Sequence, residues 1–144
     1  MKPITILMAD DDEDDRLMAK EAFEENKLFN MLQFVKDGEE LMRYLLKEGE
    51  FNTDNAPTPG LILLDLNMPK KDGRTALSEI KNNPILKRIP VVVLTTSSSD
   101  EDIVKSYDLG VSSFISKPVT FDSLVDVIKT ITNYWFGIVI LPKD

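Results

Sequence analysis

The chain contains no cysteine and no histidine. Without a thiol it forms neither a disulfide nor a thiolate metal site, which fits a reducing cytosol. Without an imidazole it can build no Ser-His or Cys-His nucleophile, and none of its own residues can carry phosphate as phosphohistidine. Cations are the minority, 17 Lys and Arg against 25 Asp and Glu, for a net charge of -8. Duplex binding needs clustered cations, so no nucleic-acid partner is expected. Long apolar runs are missing too: none approaches the ~20 residues that span a bilayer. The N-terminus lacks a cationic segment followed by an apolar stretch and a small-residue cleavage site. A cytoplasmic protein without membrane contact is the expectation.

What is present is a series of short apolar runs in 144 residues, a length that suits one domain with a sizeable core. The runs at 4–9, 31–35, 61–64, 91–94 and 113–116 read as strands. They alternate with segments of helical period, the pattern of repeated βα units around a parallel sheet. Helices are expected from about 14 to 26, from the capping pair Asp37 and Glu40 to about 47, over 75–81, and from the capping box Ser98 and Glu101 to about 107 with Gly110 as its stop. A last helix starts at Thr120, with Val119 and Leu124 as a hydrophobic staple. Its apolar stripe is Phe121, Leu124, Val125, Ile128, Ile131 and Trp135. Residues 48–60 are polar and proline-containing and read as a surface insertion. The predicted fold is α/β: a doubly wound, five-stranded parallel sheet with helices on both faces.

Four of the strands end in a polar group. Ile4 to Ala9 is followed by Asp10 and Asp11, Leu61 to Leu64 by Asp65, Val91 to Leu94 by Thr95, and Ser113 to Ser116 by Lys117. In open parallel sheets such ends gather in one crevice. Taken singly, each group has an ordinary reading. Asp65 could cap a turn, Thr95 in its Ser- and Thr-rich stretch could do the same, and Lys117 could be a surface lysine. Within the acidic run 10–15, Asp14 and Asp15 are assigned to the helix dipole, with Asp12 and Glu13 as bystanders. Coincidence at the same end of four strands outweighs those readings. Three carboxylates suit a hard cation such as Mg²⁺, which keeps waters and takes one or two protein carboxylates plus a phosphate. Such a site would let Asp65 attack a phosphoryl group, with Lys117 as fixed positive partner and Thr95 as hydroxyl donor.

The segments Leu7-Met8-Ala9-Asp10-Asp11, Leu63-Leu64-Asp65-Leu66-Asn67-Met68-Pro69, Val93-Leu94-Thr95 and Phe114-Ile115-Ser116-Lys117-Pro118 together resemble the motif set of receiver domains of two-component response regulators. The resemblance spans about residues 4–134, leaving 135–144 as an apolar C-terminal extension. It implies a flavodoxin-like strand order of 2-1-3-4-5. It also implies that Asp65 is the phosphoacceptor and that Asp10, Asp11, Asp65 and the backbone carbonyl of Asn67 hold Mg²⁺. Thr95 and Phe114 would be the switch pair, and Lys117 the phosphate-pairing lysine. In this family the Lys117-Pro118 peptide is typically cis. The acidic start, the long loop before the third strand, Pro69-Lys70-Lys71-Asp72-Gly73-Arg74 and Tyr134-Trp135-Phe136 further resemble stand-alone receivers that partner bacterial phytochromes and related sensor histidine kinases.

The resemblance implies a chain that catalyses only its own phosphorylation and dephosphorylation and is not otherwise an enzyme. It signals through contacts with a downstream protein or a histidine phosphotransfer partner. Two rivals stand beside it. A haloacid-dehalogenase-type phosphatase also uses an aspartyl nucleophile, but it needs a second Asp as general acid where this chain has Asn67, which transfers no proton. A phosphorylation-independent binding module would have lost an acid or the lysine, and all are present. Thr96, where a smaller residue is common, is expected to restrict access to Asp65. The apolar tail from Tyr134 to Pro142 must be covered, either by folding back on its own domain or in a homodimer.

Overall fold

The computed structural model describes residues 4–28, 32–96 and 99–142. Strands β1 (Ile6–Ala9), β2 (Leu32–Val35), β3 (Leu61–Leu64), β4 (Val91–Thr95) and β5 (Ser113–Ser116) form one parallel sheet in the order β2-β1-β3-β4-β5. Parallel neighbours need crossover connections. Helices α1 (Glu13–Glu25), α2 (Gly38–Leu46), α3 (Gly73–Asn82) and α4 (Asp100–Leu109) supply them, and α5 (Phe121–Gly137) follows β5. The expected doubly wound α/β fold is the observed one.

Strands β1, β3 and β4 are buried at every position, which is why they read as unbroken apolar runs and not as alternating ones. The strand period of two still sorts their side chains. Leu7, Ala9, Ile62, Leu64, Val91 and Val93 pack with Leu41 and Leu45 of α2 and Leu77 and Ile80 of α3. On the other face Ile6, Met8, Leu61, Leu63, Val92 and Leu94 meet Ala22 and Phe23 of α1 and Leu124, Ile128 and Ile131 of α5. The edge strands β2 and β5 are only partly covered.

Each helix starts at a side chain that accepts a backbone N–H two or three residues on: Asp12, Asp37, Asp72, Ser99 and Thr120. Such caps contribute roughly 1 kcal/mol each. Asp12 is therefore a cap and no bystander, and Asp72 starts α3 two residues before the expected position. Ser98, expected to cap the fourth helix, lies outside the described residues, as does Met31 at the expected start of the second strand. Gly110 ends α4 with a φ of 103°, as a C-terminal stop in the left-handed region should. The Val119 staple is not made: Leu124 is drawn into the core with α1, while Val119 is 94% exposed.

The insertion at 48–60 is tied down. Tyr44 Oη donates to the Pro57 carbonyl at 2.9 Å, Lys47 Nζ donates to the Ala56 carbonyl at 2.6 Å, and Ala56 is fully buried. Helix α5 continues through Tyr134, with Trp135 and Phe136 packed against the α1 side of the core. Beyond it Ile138 and Ile140 are exposed, while Leu141 comes back to Gly60, its Cδ1 lying 3.3 Å from where a Cβ there would sit. No described helix is long and apolar enough to cross a membrane.

Close backbone approach places α3 against the end of β3. A Cβ on Gly73 would lie 2.3 Å from the Asp65 carbonyl oxygen and 2.7 Å from Leu66 Cα, both backbone atoms. Neither can give way as a side chain would. Gly73→Ala is expected to lower the free energy of unfolding by about 2 kcal/mol, as overpacking does. A urea midpoint unchanged from wild type would contradict this packing.

Candidate functional site

Strand register determines which side chains meet. Ala9 is paired with Leu64, so the residues that follow, Asp10 and Asp65, stand side by side. Leu64 is level with Val93 and Thr95 with Ser116, so Thr95 emerges one step beyond Asp65 and Lys117 one step beyond Thr95 along the same edge. The backbone ladder continues past the strand ends. Asp10 N–H donates to the Val35 carbonyl at 3.1 Å, Asp65 N–H to Ala9 at 3.0 Å and Lys117 N–H to Thr95 at 2.8 Å. Main-chain hydrogen bonds thus fix the point from which each side chain departs.

Asp10, Asp11 and Asp65 each place a carboxylate oxygen within 4.8 Å of the others, with Asp10 and Asp65 buried and Asp11 exposed. Asp10 Oδ1 accepts from Asp12 N–H at 2.9 Å, and its Oδ2 accepts from Lys117 Nζ at 2.7 Å. Burial pushes the Asp10 carboxyl above its usual range, and the hydrogen bonds from Lys117 and Asp12 offset this only in part. The all-oxygen donor set fits a hard divalent cation.

Asp65 is held on both oxygens. Its Oδ1 accepts from the Thr95 hydroxyl at 2.8 Å and from Asn67 N–H at 3.2 Å, and its Oδ2 accepts from Lys117 Nζ at 3.2 Å. Thr95 is fully buried, so its hydroxyl is fixed in direction by this bond. For Lys117, burial alone would lower the ammonium's pKa. Hydrogen bonds to Asp10 and Asp15 outweigh that, and the net displacement is upward. Lys117 is therefore charged at neutral pH.

The structure brings together Asp10, Asp11, Asp65, Thr95 and Lys117, and Asn67 joins them through its N–H. Phe114 stands apart, half-buried against the α2–α3 side of the core, with its N–H donating to Tyr107 Oη at 3.2 Å. Two further residues were missed in the sequence. Asp15, assigned there to the helix dipole, instead accepts from Lys117 Nζ at 2.7 Å. Arg74 forks onto Asp102 of α4, at 2.7 Å from Nε and 2.6 Å from Nη2, and also reaches Asn67 Oδ1 at 3.4 Å. Both signals are long-range ones: an acid on the first turn after the Asp10-Asp11 pair, and an arginine on the first turn after Asp65. The Lys117-Pro118 peptide is trans, contrary to the expectation of a cis bond. The two isomers of an X-Pro bond differ by only ~0.5–1 kcal/mol, so either is accessible to this peptide.

Beside the lysine lies a hollow of about 240 Å³ whose lining includes Asp15, Met18, Thr96, Lys117 and Val119. A larger one, of about 610 Å³, lies at the opposite end of the sheet near Gly60, Pro90 and Leu141, and contains none of these groups.

A model of the response regulator receiver domain matches residues 6–129. Response regulator Rcp1 of Synechocystis sp. (strain ATCC 27184 / PCC 6803 / Kazusa) is 42% identical over 140 residues, covering 97% of this chain and 94% of its own length. The structure of the phosphorylated cyanobacterial phytochrome response regulator RcpA superimposes with a TM-score of 0.90 at 44% identity, covering 99% of this chain and 100% of that one. The Mn²⁺-bound form of Rcp1 does so with a TM-score of 0.87 at 42% identity, covering 98% and 100%.

The Asp10 displacement gives the sign of a pH dependence of stability. The folded chain binds this proton more tightly than the unfolded chain does. The contribution of Asp10 to stability is therefore lost as pH rises through its folded-state pKa, and a cation at the cluster offsets the loss. At neutral pH, free Mg²⁺ at ten times its Kd is expected to stabilise the fold by about 1.4 kcal/mol. Asp11→Asn is expected to shrink that gain at the same concentration, while its metal-free stability stays within about 0.5 kcal/mol of wild type. Thermal midpoints measured in EDTA and in Mg²⁺ check both, and a metal response unaffected by the substitution would contradict the assignment.

Proposed function

The chain belongs to the response regulator receiver domain family, and on that premise we propose that Asp65 accepts a phosphoryl group from a sensor histidine kinase in an Mg²⁺-dependent reaction. The observation that carries this reading is the setting of the Asp65 carboxylate. It lies against Asp10 and Asp11 on one side and is gripped by Thr95 and Lys117 on the other.

In the transfer, an Asp65 carboxylate oxygen forms a bond to phosphorus as the donor's P–N bond breaks, and the bonding pair leaves with the imidazole. Asp10, Asp11, Asp65 and the Asn67 carbonyl would hold the Mg²⁺. When bound, the ion neutralises charge on the incoming phosphoryl oxygens. Lys117 supplies a positive charge to the same oxygens from beside the Asp65 carboxylate. Thr95 exchanges its bond to Asp65 for one to a phosphoryl oxygen. That exchange withdraws the hydroxyl toward the site and leaves room behind it for Phe114. Only this difference in contacts between the free and phosphorylated states can shift the population of the α4–β5–α5 surface.

Catalysis on this reading is confined to forming and hydrolysing the chain's own acyl phosphate. Asn67 cannot serve as the general acid a phosphatase would need there. Similarity to RcpA and Rcp1 along nearly the whole chain supports a phytochrome-type kinase as donor and a cytoplasmic setting. The output is contact with a downstream protein or a histidine phosphotransfer protein. Exposed Tyr134, Ile138 and Ile140 support a homodimer contact through the tail.

Incubation with Mg²⁺ and acetyl phosphate, read by intact mass, is expected to give a single hydroxylamine-labile adduct in wild type and none in Asp65→Asn. An adduct of equal yield in that variant would exclude Asp65 as acceptor. Thr96 is exposed and lines the hollow beside Lys117, the side from which a donor or a water must approach. Thr96→Ala is therefore expected to label and decay faster than wild type, and equal rates in the two would remove the gating role.

A further inference from the structure

Lys117 has three ammonium protons to donate, and three carboxylates take them. Asp10 Oδ2 and Asp15 Oδ2 lie at 2.7 Å and Asp65 Oδ2 at 3.2 Å. The longest of the three contacts is the one to the residue that must work with Lys117 during phosphoryl capture. Asp15 comes from a different element, the first turn of α1, and among the described residues it lies outside the three-carboxylate cluster.

We infer that Asp15 is a positioning residue that competes for the Lys117 ammonium, holding it back from Asp65 until a phosphoryl group displaces it. This rests on the reading of Asp65 as the phosphoacceptor. When a phosphoryl oxygen arrives, Lys117 must give up one partner, and burial decides which. Asp10 is fully buried, so water cannot take the ammonium's place there. The Asp65 partner is the group being modified. Asp15 is different: its side chain is 33% exposed. It lies where the N-terminal dipole of α1 favours a negative charge, and it faces the hollow shared with Thr96 and Val119. Water can replace the ammonium there at little cost. The exchange Lys117–Asp15 to Lys117–phosphoryl is therefore the one the geometry favours, and the pair is a resting-state brake on occupancy of Asp65.

The test is titration of the intact chain with beryllofluoride at saturating Mg²⁺, followed by amide NMR shifts. It compares wild type, Asp15→Asn and Asp14→Asn, the last removing the same charge from an exposed neighbour that makes no contact with Lys117. Asp15→Asn is expected to bind beryllofluoride about three- to tenfold more tightly than wild type, and Asp14→Asn within about twofold of it. Because Asp15 acts through the lysine, adding Asp15→Asn to Lys117→Met is expected to change nothing further. The inference is overturned by an Asp15→Asn affinity equal to or weaker than wild type. A gain matched by Asp14→Asn, or one that persists in the Lys117→Met background, also overturns it, since either would mean a general charge effect. If wild type itself fails to bind, the phosphoacceptor reading falls and this inference falls with it. If wild type binds and Asp15→Asn merely matches it, only the inference falls.

Discussion

One ammonium group allows the functional end of this sheet to exist. Asp10 and Asp65 emerge side by side because β1 and β3 are in register, and two carboxylates buried at that spacing call for a counter-charge. Lys117 arrives from the far edge of the sheet, just past the end of β5, and touches both of them, with Asp15 as a third partner. Burial still pushes the Asp10 carboxyl above its usual range, and the Lys117 contact offsets this only in part. Three carboxylate oxygens within 4.8 Å of one another are the donor set that suits a divalent cation.

The fold serves that constraint by rigidity at one end. Three strands buried on both faces carry the acids and the threonine, and their backbone ladder runs one residue past the strand ends. Gly73 lets α3 approach the Asp65 carbonyl, and Arg74 ties the loop after Asp65 to the first turn of α4. The less covered part lies at the edge. Strand β5 is only partly covered, Phe114 is half-buried, and Tyr107 of α4 holds the Phe114 N–H. On the proposed switch reading, a change of bonding at Thr95 would act on this loosely covered edge and leave the core undisturbed.

Most of this was legible in the chain because it depends on local pattern. Unbroken apolar runs identified β1, β3 and β4, and a polar residue at each end marked the crevice. Helix starts were readable where the cap sits at the expected offset, as at Asp37 and Thr120. They slipped by one or two residues where several capping residues compete, as in 97–99 and around Asp72. Asp15 and Arg74 were not legible, because each is defined by a partner about 28 to 102 residues away, a distance that no periodicity encodes. An acid in the first turn of a helix has a sufficient local explanation in the helix dipole, and that explanation hid the contact with Lys117. The Val119 staple failed for the opposite reason: a valid local pattern was overridden by the core's claim on Leu124.

The account stands on a mixed anhydride at one side chain, and chemical trapping reads that bond directly. After treatment with Mg²⁺ and a small phosphodonor, borohydride reduction followed by peptide mapping should convert Asp65, and no other acid, to homoserine. Reduction at Asp10, Asp11 or Asp15, or no reduced residue at all, would contradict the account.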